Sequence, residues 1–104
     1  MITIKELEEE LLNVTGNIQL IVQKEMDYCF CDKTDVVSGV IAKIDVTEVE
    51  NNNVAIVEFT FENGNIITED LQLEDLEINK DEYLSEGILS LICYENSKEI
   101  IIQE

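Results

Sequence analysis

Residues 54–67 have the sequence VAIVEFTFENGNII, and this stretch decides the fold. Its first eight residues alternate in character, which predicts a strand from Val54 to Phe61 whose odd-numbered side chains face a core. Asn63 and Gly64 offer the positive φ angles that a tight hairpin turn needs, and Ile66 begins the return strand. The stretch therefore predicts an antiparallel β-hairpin.

Similar alternation on both sides of this hairpin extends the β-structure. It predicts strands beginning near Asn17 and running over 36–46, with 88–94 and 99–103 as a last hairpin. Within 36–46 the even-numbered residues from Val40 to Val46 are expected on one side, and Gly39 indicates a bulge or bend. Mainly β-strands are therefore expected after residue 16.

The N-terminus has the pattern of an amphipathic helix over residues 3–15. Thr3 and Glu6 form a capping-box pair, in which the Thr3 hydroxyl and the Glu6 carboxylate each accept a hydrogen bond from a free backbone N–H at the start of the helix. Gly16 marks the end of the helix. The apolar residues expected on its buried face are Ile4, Leu7, Leu11 and Leu12, whereas Glu8, Glu9 and Glu10 are expected to face water.

Two later segments leave alternatives open. Residues 71–78 fit either a short helical turn or a strand, and residues 79–87 fit either a capped helical turn or a loop. The run Ile100-Ile101-Ile102 is either a paired core strand or the edge of a dimer.

These elements predict a single domain over residues 1–104, with one helix and five to seven strands. The fold class is α+β, with the helix packed on a curved antiparallel sheet or on a small SH3-like barrel. Residues 36–78, with Val37-x-Gly39, the strand 54–61 and the Asn63-Gly64 turn, resemble the meander of SH3-like or Tudor-like barrels. That resemblance implies a fold and no ligand, because Tyr28, Tyr83 and Tyr94 lie outside the matched stretch.

Charge separates the function classes. The chain has 24 acidic residues, six lysines and neither arginine nor histidine, for a formal net charge of −18. Such a surface repels nucleic acids and anionic membranes and attracts basic proteins. No segment has the pattern of a signal peptide or a membrane span, and an odd number of cysteines (Cys29, Cys31, Cys93) is typical of reduced thiols. We therefore expect a cytoplasmic protein.

The same composition argues against catalysis and cofactors. Without histidine there is no ordinary general base at neutral pH, and without arginine there is no bidentate phosphate clamp. Cys29 and Cys31 could share a soft metal, but their spacing is shorter than that of structural zinc sites, which favours packing in the core. The prediction is a protein that is not an enzyme and has no cofactor or metal.

The acidic residues concentrate between Asp45 and Glu86, where 13 carboxylates and one lysine give a net charge of −12. In size and charge the chain resembles small acidic phage inhibitors of the anti-CRISPR and anti-restriction kind. That resemblance implies a non-enzymatic inhibitor that imitates DNA and occupies the basic nucleic-acid-binding surface of a partner enzyme. Alternatives are an immunity or antitoxin protein that neutralises a basic toxin, and an accessory domain whose charge serves solubility. The expected partner-binding residues are Glu48, Glu50, Glu58, Glu62, Glu69, Asp70, Glu74, Asp75, Glu77, Asp81 and Glu82.

Overall fold

A computed structural model describes residues 2–26, 31–49, 53–81, 88–93 and 97–103, except for the side chains of residues 25, 26, 31–33, 80, 81 and 88. It contains one helix and seven strands, as the sequence predicts. The elements in chain order are α1 (Ile4–Leu12), β1 (Gly16–Met26), β2 (Cys31–Val49), β3 (Val54–Phe61), β4 (Ile66–Gln72), a 3₁₀ turn (Leu73–Asp75), β5 (Leu76–Asp81), β6 (Ile88–Cys93) and β7 (Lys98–Gln103).

The seven strands form one antiparallel sheet in the order β4-β3-β2-β1-β7-β6-β5. The α+β class and the antiparallel sheet are therefore confirmed. The two edge strands, β4 and β5, are consecutive in the chain and are joined through the 3₁₀ turn. Residues 71–78 thus contain both alternatives that their pattern allowed, a helical turn followed by a strand.

A bend in β2 brings the two halves of the sheet against each other. The first part of this strand pairs with β1 as far as Ile41, and the second part pairs with β3. The register shifts between Ile41 and Lys43, so the bulge lies at Ala42, whereas Gly39, where a bulge or bend was expected, pairs in regular register with Ile18. Gly39 has a different role, because a Cβ there would lie 3.1 Å from Cδ1 of Phe61. Its lack of a side chain lets the phenyl ring pack against the strand.

The bulge also separates residues that were expected on one side of the strand. Val40 is 39% exposed on the outer side, whereas Ile44 and Val46 are half-buried and pack against the core. Alternation continues without a break in β3, whose buried residues are Ala55, Val57, Phe59 and Phe61, as expected. They pack in one core with the inward residues of β1, β6 and β7, which are Ile18, Leu20, Val22, Leu89, Leu91, Cys93, Ile100 and Ile102.

The helix begins as expected and ends earlier. Thr3 is the N-cap, and its hydroxyl accepts a hydrogen bond from the backbone N–H of Glu6 at 3.2 Å. Leu7 and Leu11 are buried, but α1 ends at Leu12, which is 75% exposed. The predicted burial of Leu12 is therefore wrong; as the last residue of α1 it lies about 100° around the helix axis from the buried Leu11.

The remaining turns settle three further expectations. Between β3 and β4 only Gly64 has a positive φ, of 94°, so the turn does not use the second positive angle expected at Asn63. Residues 79–81 continue β5, and the rest of the segment expected as a turn or loop lies outside the described residues. β7 pairs with β1 on one side and β6 on the other. Ile100–Ile102 is therefore a paired core strand and not a dimer edge.

Candidate binding surface

Among the side chains that the structure describes, those on one outer face of the sheet carry little charge, although the chain as a whole has a net charge of −18. The strand registers place 15 described side chains on this face, which we call the neutral face. They are Thr34, Val36, Ser38 and Val40 of β2, Asn17, Gln19, Ile21 and Gln23 of β1, Glu99, Ile101 and Gln103 of β7, Ser90 and Ile92 of β6, and Glu77 and Asn79 of β5. Only two of these are carboxylates and none is a lysine.

The other 13 of the 15 carboxylates with described side chains lie elsewhere. Four follow closely along α1, namely Glu6, Glu8, Glu9 and Glu10. At 1.5 Å rise per residue, the four charges from Glu6 to Glu10 fall within about 6 Å of the helix axis, or one per about 2 Å, close to the one charge per about 1.7 Å of axis in duplex DNA. From the sequence, Glu6 was expected in a capping box and Glu8, Glu9 and Glu10 were expected only to face water; Glu8 and Glu9 are exposed, and Glu10 is half-buried. A role of these glutamates in binding a basic partner could have been predicted from their run in the sequence.

Acidic residues of the sheet lie next to the helix. Glu8 of α1 and Asp45 of β2 line one groove of about 370 Å³, beside the bulge at Ala42. Asp45 is directly opposite Glu58 of β3 in the strand register. Glu9 lines a second groove together with Ile78 of β5. We call the exposed carboxylates of α1, together with Asp45, Glu48 and Glu58, the acidic surface.

The eleven residues predicted to bind a partner fall into five groups, of which the last, Glu69 and Asp70, forms ion pairs with lysines. Glu48 and Glu58 belong to the acidic surface, and Glu62, Glu74 and Asp75 lie in turns. Glu77 lies on the neutral face. Glu50 and Glu82, together with the side chain of Asp81, lie outside the described residues. The structure therefore does not gather the predicted set into one patch.

Glu69 and Asp70 belong to a cluster of ion pairs that joins β4 to β1 and β7. The Lys24 Nζ lies 2.7 Å from Oε1 of Glu69, and the Lys98 Nζ lies 3.4 Å from its Oε2. Lys98 also donates to the Asp70 carboxylate at 2.9 Å and to the Asp70 backbone carbonyl at 2.8 Å. The Glu69 and Lys98 side chains are only 5% and 7% exposed. Glu69 is therefore not available on the surface for a partner.

In this cluster, side chains make hydrogen bonds to backbone groups at the edge of β4, where no further strand pairs with it. An ammonium group has three N–H donors, and those of Lys98 have three acceptors within 3.4 Å. Two residues further along, the backbone N–H of Gln72 donates to Sγ of Cys93 at 3.3 Å, and the thiol donates to the Gln72 carbonyl at 3.6 Å. Because these groups would otherwise be unpaired at a sheet edge, the two side chains block edge-to-edge pairing there.

The ion pairs shift the pKa values of two cluster members. The hydrogen bond from Lys98 lowers the pKa of Asp70, and partial burial opposes this effect. The hydrogen bond to Glu69 raises the pKa of Lys24, again against a smaller opposing effect of burial. Both shifts favour the charged forms of these two side chains, Asp70 and Lys24.

The lysines also dilute the acidic stretch that the sequence singled out. Lys24, Lys98 and Lys43 all pair with carboxylates between residues 45 and 86, the last through Asp45 at 3.1 Å. The net charge of −12 in that stretch is therefore offset by three lysines, to −9. The helix, by contrast, has Lys5 as its one basic residue beside four glutamates.

The described residues contain no group of three or more potential metal ligands and no helix that is long and apolar enough to span a bilayer. Cys93 is buried, whereas Cys29 and the side chain of Cys31 lie outside the described part of the chain. The chain matches no protein-family model, no curated protein and no solved structure.

Proposed function

We propose that this protein is a non-enzymatic, cytoplasmic inhibitor whose acidic surface binds the basic nucleic-acid-binding surface of a partner enzyme. The observation that supports this proposal is the row of exposed carboxylates on α1, flanked by Asp45 and Glu58. Arginine and lysine side chains that normally hold phosphates would pair with these carboxylates. The partner would then be unable to bind nucleic acid at the same place.

Charge density supports local mimicry better than mimicry by the whole molecule. Spread evenly over the accessible surface of 6441 Å², 18 charges give one per about 360 Å². Duplex DNA carries about one charge per 100 Å², from one charge per about 1.7 Å of axis and a radius of about 10 Å. Among the described segments, α1 has its carboxylates closest together along the chain, with four between Glu6 and Glu10. We therefore place the centre of the binding surface on Glu8 and Glu9, with Glu48 and Glu58 at its margin.

The fold resemblance belongs to this proposal as well. Strands β2, β3 and β4 form the meander that a resemblance to SH3-like or Tudor-like barrels implies. The edge of β4 is joined to β7 by side-chain contacts of Lys98. We propose that the sheet is a barrel-like structure closed by side chains in place of strand pairing.

Two variants with equal net charge test the proposed surface. Glu8→Gln/Glu9→Gln removes two charges from α1, and Glu77→Gln/Glu99→Gln removes two from the neutral face. The immobilised chain is exposed to a host lysate, and proteins eluted by salt are identified and assayed for inhibition of nucleic-acid binding. We expect the helix variant to lose at least tenfold in affinity for the captured enzyme and the control to change by less than twofold.

Three results would contradict the proposal. Equal losses in both variants would mean that only net charge matters, as for a surface that serves solubility. Recovery of no basic nucleic-acid-binding enzyme would remove the target. Recovery of a single basic toxin would favour the immunity or antitoxin alternative.

A further inference from the structure

The neutral face is unusual for this chain because its outward side chains are mostly amides, hydroxyls and aliphatic groups. Its central row crosses four strands through Val36, Ile21, Ile101 and Ser90. Val36 is 53% exposed and Val40 is 39% exposed, whereas the two isoleucines are half-buried between their neighbours. A chain with 29% charged residues therefore keeps a continuous strip free of charge across its sheet.

We propose that the neutral face is the interface of a homodimer, in which two copies of this chain pack sheet against sheet. A second copy carries the same net charge of −18, so its approach is opposed by repulsion over the acidic parts of the surface. The neutral face is the part of the described surface where this repulsion is weakest. This inference is independent of the proposed function, since the neutral face and the acidic surface share no residue.

The chemistry of the face is self-complementary. An amide side chain is both a hydrogen-bond donor and an acceptor, as is a hydroxyl, so such groups can pair with their own copies across a two-fold axis. A basic partner would bind the carboxylates of the acidic surface more strongly than the amides of the neutral face. The face therefore fits a second copy better than it fits a cationic protein.

The size of the face limits the strength of the dimer. Five strands at about 4.8 Å spacing and seven residues of β1 at about 3.4 Å give a flat area of about 500 Å² per copy. A standard interface buries about 800 Å² per partner, so the expected dimer is weak and reversible, with Kd in the micromolar range.

Sedimentation equilibrium of the full chain tests the proposal between about 5 and 500 μM. The monomer has a mass of 11.9 kDa, and we expect the weight-average mass to approach twice this value as concentration rises. Added salt should strengthen the dimer, because it screens the repulsion between copies. Binding of a basic partner has the opposite salt dependence, so failure of this inference and failure of the proposed function are distinguishable.

Exposed apolar residues provide matched variants. Val36→Glu places a charge in the central row and should weaken dimerisation at least tenfold. Ile66→Glu and Leu12→Glu alter residues that are 58% and 75% exposed on other surfaces, and both should leave the dimer intact. A chain that remains monomeric at 500 μM in 0.5 M salt would overturn the proposal. It would also be overturned if Leu12→Glu or Ile66→Glu dissociated the dimer and Val36→Glu did not.

Discussion

Replacement of Lys98 by methionine tests whether the ion-pair cluster holds the curved sheet together. Methionine keeps the length and the apolar stem of the side chain but removes the ammonium group. The buried Glu69 carboxylate then keeps only Lys24, and the Asp70 carbonyl loses its 2.8 Å donor. The variant therefore leaves polar groups without partners at the junction of β4 and β7.

The expected loss can be estimated from this geometry. Removal of one partner from a buried ion pair costs about 3–5 kcal/mol. We expect a value at the lower end, about 3 kcal/mol, because Glu69 keeps its 2.7 Å contact with Lys24 and the Asp70 side chain is 59% exposed. A 104-residue domain has a total stability of about 5–15 kcal/mol, so this is a large fraction.

Urea unfolding followed by circular dichroism measures the effect. With m of about 1.5 kcal/mol/M, the loss corresponds to a shift in the midpoint of about 2 M urea. Lys5→Met is the matched control, because Lys5 is exposed on α1 and its replacement changes the net charge equally. A loss below 1 kcal/mol for Lys98→Met, or an equal loss for both variants, would refute the structural role of the cluster.

Further predictions concern pH, packing and salt. The lowered pKa of Asp70 means that its stabilisation is present above the unfolded value near pH 3.9 and is lost as the pH falls through the folded value. The stability difference between wild type and Asp70→Asn should therefore shrink in acid; a constant difference between pH 7 and pH 2 contradicts this. The raised pKa of Lys24 predicts a contribution that is complete below about pH 10 and is lost in stronger base, measurable against Lys24→Met. Gly39→Ala should cost about 1–3 kcal/mol in urea unfolding, since its Cβ would lie 3.1 Å from Phe61, and Phe61→Leu in the same chain should recover part of this loss. The melting temperature of the wild type should rise by several degrees between 0.02 and 0.5 M NaCl, because salt screens repulsion among the excess carboxylates; a fall would show that the ion pairs dominate.

Local sequence patterns predicted those elements whose position depends on residues close together in the chain. Alternation located β3 with its correct bounds, and the capping box located the start of α1. The bulge at Ala42 could not be predicted, because it arises where β2 changes its partner from β1 to β3. Pairing between distant strands determines this position, and no single-residue signal marks it.

The ion-pair cluster was partly predictable. Glu69 lies between Ile67 and Leu71 in an alternating strand, and Lys98 precedes Ile100 in the same way. Both patterns place a charged side chain on the core side, which indicates that each needs a partner of opposite charge. That they would meet each other could not be known, because β4 and β7 are far apart in the chain and also in the strand order.

The distribution of charge depends on pairing in the same way. Each strand of the neutral face has polar, uncharged residues at alternate positions, but only the order β2-β1-β7-β6-β5 places them side by side. Three of the four lysines with described side chains pair with carboxylates, two of them where β4 is held against β1 and β7. The positive charges of the described lysines are therefore used mainly inside the fold, whereas Glu8 and Glu9 of α1 are exposed.

Salt distinguishes the two surfaces because it acts on them in opposite directions. Contacts between the acidic surface and a basic partner are attractive and weaken as ions screen them, whereas two neutral faces approach against a repulsion that the same ions reduce. α1 packs on the core side of the sheet, away from the neutral face, so a dimer would leave both acidic surfaces exposed. Dimer formation and partner binding are then compatible in one assembly. A dimer would offer two acidic surfaces at a fixed separation, which favours targets with more than one basic site.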